Sequence, residues 1–183
     1  MMHIMAAPEA CRFGTAAMRV YGERWGAVRL FHSMGQNAAM QITRFTDYAI
    51  RVLTYCALRD GGLATTQEIA ERYGISTNHL VKVVQELSRH GYLAAARGKG
   101  GGIRLARPPE QINLGELIGR LEEMELAECF GSGNACRITP ACRMAAILAE
   151  ARAAFLAALS RHTLAEVVQP HGELRALLAM PEA

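Results

Sequence analysis

Three cysteines lie close together in one short segment of the chain. Cys129, Cys136 and Cys142 are separated by six and then five residues, and the residues between them include two glycines, an asparagine and a proline. Such residues favour loops. A loop can turn three thiolates toward one inorganic centre, whereas a helix or strand directs them along fixed, divergent lines. Three soft sulfur ligands suit an iron–sulfur cluster or zinc.

Disulfides and buried structural cysteines are the alternative explanations. No signal peptide is recognisable, and three is an odd number for disulfides. Buried cysteines more often occur singly on an apolar helix face, as Cys56 does. Structural zinc sites usually pair two cysteines separated by two residues, and that pairing is missing here. The pattern therefore favours an iron–sulfur cluster whose fourth ligand comes from elsewhere or is open.

The segment before the cysteines has the pattern of a helix-turn-helix. Apolar residues at spacings of three and four predict a helix over residues 42–59. Thr65 and Glu68 form a capping box that begins a second helix, which ends at Gly74. Ser76 then caps a third helix, which continues through the apolar, inward-facing residues Leu80, Val81, Val84 and Leu87 to Gly91. A three-residue turn between the second and third helices is typical of a helix-turn-helix.

Polar side chains crowd the first turns of the third helix, opposite its apolar positions, as in a recognition helix that enters the major groove. An ordinary amphipathic helix with a polar exposed face explains these residues equally well. A glycine-rich hairpin after that helix, with strands at residues 92–96 and 103–105, favours the first explanation because it makes a winged helix. Its tip supplies positive charge for phosphates. The predicted DNA-binding residues are Ser76, Thr77, Asn78, His79, Lys82, Arg97 and Lys99.

Helices also flank the cysteine segment. Asn113 and Glu116 begin a helix that reaches Met124. An alanine-rich helix over residues 143–160 has a long apolar stripe, which either packs against a second copy of the chain or forms intramolecular core. Thr163 caps a short helix, and the last four residues resemble a tail.

Composition limits the function classes. The 183 residues are 51% hydrophobic and rich in alanine, which favours a mainly α-helical protein. No apolar run approaches about 18 residues, so no transmembrane helix is expected, and a cytoplasmic location follows, where thiols stay reduced. Residues 40–106 hold nine Lys and Arg against five Asp and Glu, whereas residues 107–183 hold seven against ten. The basic half is compatible with nucleic acid. No paired acid and base is evident, so an enzyme is not expected.

Four segments are therefore predicted. Residues 1–39 lack sustained periodicity and are expected to be disordered or a mis-assigned N-terminal extension, with Met40 as the true start. Residues 40–108 should form the winged helix-turn-helix domain. Residues 109–166 should hold the cysteine loop and a dimerisation helix, and residues 167–183 a short helix and tail.

These stretches resemble one bacterial family. Thr43 to Tyr55 (TRFTDYAIRVLTY), Ile75 to Tyr92 (ISTNHLVKVVQELSRHGY) and Arg97 to Pro108 (RGKGGGIRLARP) are similar to the winged-helix iron–sulfur repressors that include IscR and NsrR. The cysteine segment most resembles the nitric-oxide-sensing NsrR-like members. A histidine ligand of IscR-like members would fall on Ala145, so that match is weaker.

The resemblance implies a homodimeric, DNA-binding repressor that responds to nitric oxide through its cluster. Cys129, Cys136 and Cys142 match the three iron ligands, and Asp47 stands where NsrR-like proteins supply a fourth, oxygen ligand from the partner subunit. Arg51, one turn along, would orient Asp47 or pair with it. The alternative for Asp47 is an exposed carboxylate favoured by the helix dipole. A four-iron, four-sulfur cluster is expected, with a two-iron form as the alternative.

Two alternative hypotheses about function use the same cysteines. A small cluster carrier or electron-transfer protein would need the cysteine loop but not the basic wing. A DNA-binding thiol switch would instead pair Cys136 with Cys142 under oxidation.

Overall fold

The first helix crosses the middle of the fold. A computed structural model describes residues 42–98 and 100–180, all within one compact unit, Met40–Ala183. Helix α1 spans Arg44–Leu58, and Thr43 caps it by accepting a hydrogen bond from the backbone N–H of Thr46. Nine of its fifteen residues are buried. The apolar stripe predicted for this segment is therefore the centre of the core, and α1 packs against elements from both halves of the chain.

The predicted helix-turn-helix is confirmed. Helix α2 spans Thr66–Tyr73 and α3 spans Thr77–Arg89. The capping box is formed, with the backbone N–H of Glu68 3.0 Å from Thr65 Oγ1 and the Glu68 carboxylate bonded to the Thr65 N–H at 3.4 Å. Gly74 ends α2 at a φ of 64°, which is the left-handed conformation that glycine adopts without steric cost.

One prediction about the inward face of α3 was wrong. Leu80, Val83 and Leu87 are buried, whereas Val81, expected inside, is exposed. The buried residues follow spacings of three and four, and Val81 lies to one side of them; periodicity alone did not decide which of the valines at 81, 83 and 84 extends the stripe. Ser76 occupies the N-cap position, but its hydroxyl makes no capping hydrogen bond, contrary to expectation.

The wing is a two-stranded antiparallel sheet. Strand β1 spans Leu93–Ala96 and β2 spans Gly102–Leu105. Ala64 adds an antiparallel bridge to Ile103, with N···O distances of 2.8 and 2.9 Å in the two directions. A side chain at position 102 would place its Cβ 2.7 Å from the Ala64 carbonyl, so glycine permits this close approach. The bridge fixes the wing to the segment between α1 and α2.

Helix α4, Leu114–Leu121, precedes the cysteine segment, and α5, Arg143–Leu159, follows it. Asn113 joins both helices, since its side chain accepts from the Glu116 N–H and donates to the Ser160 carbonyl at 2.7 Å. Gly115 lets α4 approach α5, because a Cβ there would lie 2.7 Å from the Leu156 carbonyl. The cysteine segment is thus a loop whose two ends are anchored to packed helices.

The described part of the chain ends with two short helices. Helix α6, Leu164–Val167, begins with the predicted capping box, and α7 spans His171–Leu177. Arg175 donates to the Leu58 carbonyl at the end of α1, a favourable place for a cation because unpaired carbonyls collect there. Met180, expected in a tail, is buried in the core. Its packing could not be foreseen because no periodic pattern continues to that position.

Helix α5 contrasts with α1, α3 and α4 because none of its seventeen residues is buried, although fourteen are alanine or larger apolar residues. Met144 is 59% exposed and Ile147 56%. Within the described ranges, no helix is both long enough and apolar enough to cross a membrane.

Candidate DNA-binding surface and cysteine loop

The start of α3 offers an unobstructed polar surface. The predicted residues Ser76, Thr77, Asn78 and His79 are all exposed, as is Lys82 one turn later. The apolar side of the same helix is anchored by Leu80 and its buried neighbours. Hydroxyl, amide, imidazole and ammonium groups therefore stand on a rigid helix and face solvent, which is the arrangement that reads base edges in a major groove.

The wing adds positively charged side chains to this polar surface. Arg97 is exposed at its tip, between β1 and two glycines with positive φ, Gly98 at 101° and Gly100 at 82°. Lys99, also predicted to contact DNA, lies outside the described residues. Sequence analysis missed Arg104, which is exposed on β2 beside the buried Ile103. The alternation of inward and outward side chains along a strand could have identified it.

The predicted cluster ligand Asp47 is paired within its own helix. Its carboxylate accepts two bonds from Arg51, at 3.2 Å from Nε and 2.8 Å from Nη2. The Arg51 guanidinium also lies 6.0 Å from the centre of the Tyr48 ring and 5.8 Å from that of Tyr73. Tyr48 in turn stacks on His79 of α3. The predicted pairing of Asp47 with Arg51 is therefore present, and it continues through two aromatic rings to the start of α3.

The cysteine loop is shaped by its own polar groups. Glu128 accepts from the Ala135 N–H at 2.9 Å, and Asn134 accepts from the Cys136 N–H at 3.0 Å. Thr139 donates to the Cys136 carbonyl at 2.9 Å. Single turns of 3-10 helix at Glu128–Phe130 and Thr139–Ala141 tighten the two ends. Local bonds of this kind hold a loop that has no apolar face of its own.

The three loop thiols, Cys129, Cys136 and Cys142, are free and half-exposed. Their donor chemistry fits a soft iron or iron–sulfur centre. Their geometry in a single chain is not closed, because the described residues contain no group of three or more His, Cys, Asp or Glu side chains near enough to hold a metal ion. Cys56, by contrast, is buried in α1, and burial raises the pKa of its thiol to about 12.

One contact between the cysteine region and α1 had no sequence signal. Glu122, just after α4, accepts from the backbone N–H of Thr43 at 2.8 Å and from its hydroxyl at 2.9 Å. The two residues are 79 positions apart. Glu122 therefore ties the first turn of α1, which carries Asp47, to the segment that leads into the cysteine loop.

The two C-terminal histidines are engaged elsewhere. His162 Nδ1 lies 2.8 Å from Glu166, and His171 Nε2 lies 3.5 Å from Asp60. Neither joins the loop cysteines in a ligand group within the described ranges.

Solved structures of bacterial regulators share this fold. IscR of T. potens is 23% identical, covers 79% of this chain and 95% of its own, and superposes with a TM-score of 0.59. CymR of B. subtilis, a global cysteine regulator, is 21% identical over 70% of this chain and 96% of its own, at a TM-score of 0.56. CymR of S. aureus is 23% identical over 69% and 97%, at 0.54. These likenesses confirm the winged-helix fold.

The family itself is defined by sequence. The model of the Rrf2 family, described as an iron-dependent transcriptional regulator, matches residues 42–170. That range includes the helix-turn-helix, the wing, Asp47 and all three loop cysteines. The chain belongs to the Rrf2 family of DNA-binding transcriptional regulators, whose members are not enzymes.

Proposed function

We propose that this protein is a cytoplasmic repressor that binds operator DNA as a homodimer and releases it when nitric oxide reacts with an iron–sulfur cluster. The observation that carries the proposal is the loop with three free, half-exposed thiols in a chain of an iron-dependent regulator family. An iron–sulfur cluster would use all three thiols of this loop, whereas a disulfide switch would use two of them.

The DNA contacts would come from two elements. Asn78 and His79, exposed in the first turn of α3, would meet base edges, while Arg97 and Arg104, exposed on the wing, would meet phosphates. Lys99 is expected to act with Arg97. Phosphate contacts position a protein on DNA and base contacts select the site. Removing a wing arginine should therefore weaken binding to all sequences, whereas removing a side chain of α3 should change base preference.

The homodimer would form through α5. An apolar helix with no buried residue leaves a large apolar surface in water, and a second copy of the same helix would cover it. Two copies would present two recognition helices, as a palindromic operator requires.

Cys129, Cys136 and Cys142 would hold the cluster, and Asp47 of the partner subunit would supply the fourth ligand. Bound iron would give the protein a group that reacts with nitric oxide. When Asp47 is not a ligand, Arg51 is available to it as an ion-pair partner, as in the single chain. Glu122 would transmit movement of the cysteine segment to α1 through Thr43. Both contacts lead to the helix packed beneath α3.

A thiol switch is the second candidate, because no three ligands converge among the described residues of one chain and all three loop thiols are free. In that case oxidation would join Cys136 and Cys142 in a disulfide, with the two electrons taken by a peroxide or disulfide oxidant. DNA binding would then respond to oxidant and reductant without iron. An IscR-like response to iron or cluster supply is a variant of the first proposal.

Anaerobic purification separates these candidates. We expect a coloured dimer with about four iron and four sulfide per chain, or about two of each for the smaller cluster, counted together by native mass spectrometry. Cys136→Ala should lose iron and sulfide, while Cys56→Ala, which removes the buried thiol of α1, should keep both. Nitric oxide should then weaken operator binding by the loaded parent.

A colourless, iron-free protein whose DNA binding responds to peroxide and dithiothreitol would refute the cluster and support the thiol switch. A coloured protein that binds no DNA would support a carrier instead.

A further inference from the structure

A group of five side chains joins the first helix to the recognition helix. Its members are the acid, the cation and three aromatic rings of an aromatic–arginine cluster: Asp47, Tyr48, Arg51, Tyr73 and His79. We propose that Tyr48 and Arg51 are positioning residues that fix the His79 imidazole for base recognition. The proposal deepens the proposed function, since it rests on α3 reading DNA.

Arg51 is the centre of this cluster. Its guanidinium makes the two-pronged pair with Asp47 and lies near the rings of both Tyr48 and Tyr73, within the range at which a cation is attracted to an aromatic face. Burial raises the pKa of Tyr73 to about 12, although Arg51 opposes the rise, so this ring stays neutral at physiological pH. The cation is therefore held from three directions by an acid and two uncharged rings.

Tyr48 carries this arrangement to α3. Its ring centre is 6.5 Å from that of His79 and the two planes differ by 27°, an offset stack. His79 is otherwise exposed, and an exposed imidazole rotates about two side-chain torsions within nanoseconds. The stack restricts the ring, and within the described residues neither ring nitrogen has a hydrogen-bond partner that would compete with a base or phosphate.

The energetics favour orientation over stability as the role of this cluster. Asp47 and Arg51 are 44% and 41% exposed, and exposed ion pairs contribute little to folding. The packing of α1 on α3 is already supplied by fully buried side chains such as Leu53 and Leu80. Removing Tyr48 should therefore leave the fold intact while freeing His79. A second consequence is that a partner that binds the Asp47 carboxylate in place of Arg51 would alter the contacts of Arg51 within the aromatic–arginine cluster.

The test uses the full-length protein and a duplex selected by the parent from a randomised library. Tyr48→Phe keeps the ring and should keep the parent's base preference. Tyr48→Leu should lose roughly tenfold discrimination at one base pair of each half-site, with affinity for unselected DNA within about twofold. Arg51→Met should show a smaller loss at the same base pair. His79→Ala defines the expected limit, and Tyr48→Leu added to it should change nothing further.

A second measurement needs no DNA. The Tyr48 ring current should shift the His79 ring protons in the nuclear magnetic resonance spectrum, and Tyr48→Leu should abolish that shift while Tyr48→Phe preserves it. Unchanged His79 resonances in Tyr48→Leu, or an unchanged base preference, would overturn the inference.

The two hypotheses fail separately. If the parent selects no sequence, DNA reading by α3 is refuted, and the His79 resonances still decide whether Tyr48 holds the ring. If Tyr48→Leu does not fold, the comparison of Arg51→Met with His79→Ala decides the same question.

Discussion

The winged helix-turn-helix and the α5 region differ in how far they bury their apolar side chains within one chain. Helix α1 buries nine residues and α3 buries three against the remainder of the same chain, whereas α5, the longest helix of the described residues, buries none. The loop before α5 likewise presents three thiols without closing a ligand group. The first region is completed by its own chain, whereas the proposed homodimer and cluster would supply groups to the second from outside it. Regulation fits the second, because a surface that depends on a partner can respond to changes in that partner.

Matched isoleucine substitutions give the largest contrast between the two regions. Ile69 in α2 is fully buried, and Ile147 in α5 is 56% exposed. Ile69→Ala should lower the free energy of unfolding by about 2–5 kcal/mol, because it leaves a cavity in the core. Ile147→Ala should change the unfolding of the monomer little and instead shift the monomer–dimer equilibrium toward monomer, as followed by sedimentation.

The predicted difference would be contradicted if Ile69→Ala and Ile147→Ala lowered the free energy of unfolding equally at low protein concentration, where the chain is monomeric. It would also be contradicted if Ile147→Ala left the dimer unaffected, since α5 would then be covered by something other than a second copy.

Alkaline pH should destabilise the winged-helix region specifically. Burial raises the pKa of Cys56 from 9.0 to about 12, and burial followed by the hydrogen bond to Glu68 raises that of Tyr55 from 10.0 to about 12. A raised pKa means that the fold favours the neutral form. The contribution of each group to the free energy of unfolding is therefore complete below pH 9 to 10. It is lost as pH rises toward 12, by up to about 1.4 kcal/mol per pH unit for each group.

Urea unfolding between pH 7 and 11 under reducing conditions would measure this dependence. Cys56→Ala should reduce the slope above pH 9 and leave the part due to Tyr55, whereas Ser132→Ala, which changes an exposed loop residue without a titratable group, should leave the slope of the parent. A parent with pH-independent stability across this range would contradict the prediction.

Local signals predicted most of the winged helix. Thr65, Glu68 and Gly74 give the ends of α2 because capping and left-handed turns depend on neighbouring residues. The Glu122–Thr43 bond and the Tyr48–His79 stack could not be predicted, since each depends on how distant elements pack. For the cysteine loop, residue type and spacing predict a soft-metal site, but the described residues of one chain bring no three ligands together, so the closed geometry stays a prediction.

Asp47 tests whether the two regions communicate. Asp47→Ala should keep most of the bound iron, because three thiolates remain, and should lose the cluster-dependent part of the operator affinity. The physical reason is that this substitution would remove both the proposed ligand from the partner subunit and the ion pair with Arg51. Glu110→Ala, which removes one exposed negative charge elsewhere, is the matched control. Iron content and fluorescence anisotropy with and without nitric oxide would measure both properties.

If Asp47→Ala represses and responds to nitric oxide like the parent, its carboxylate serves only the first turn of α1, and the fourth ligand lies elsewhere.

The smallest effects are expected within the DNA-binding surface, between its wing and its recognition helix. Arg97→Ala, or Lys99→Ala, should weaken binding to all sequences by a few fold and lower the slope of log affinity against log salt by about one, if each side chain neutralises one phosphate. Asn78→Ala should instead change base preference and leave that slope as it is, because its amide carries no charge. Titrating both variants against matched and mismatched duplexes at several salt concentrations separates the two effects. Identical behaviour of the wing and helix variants would mean that α3 contributes contacts of the same kind as the wing, and that the site is selected by another part of the chain.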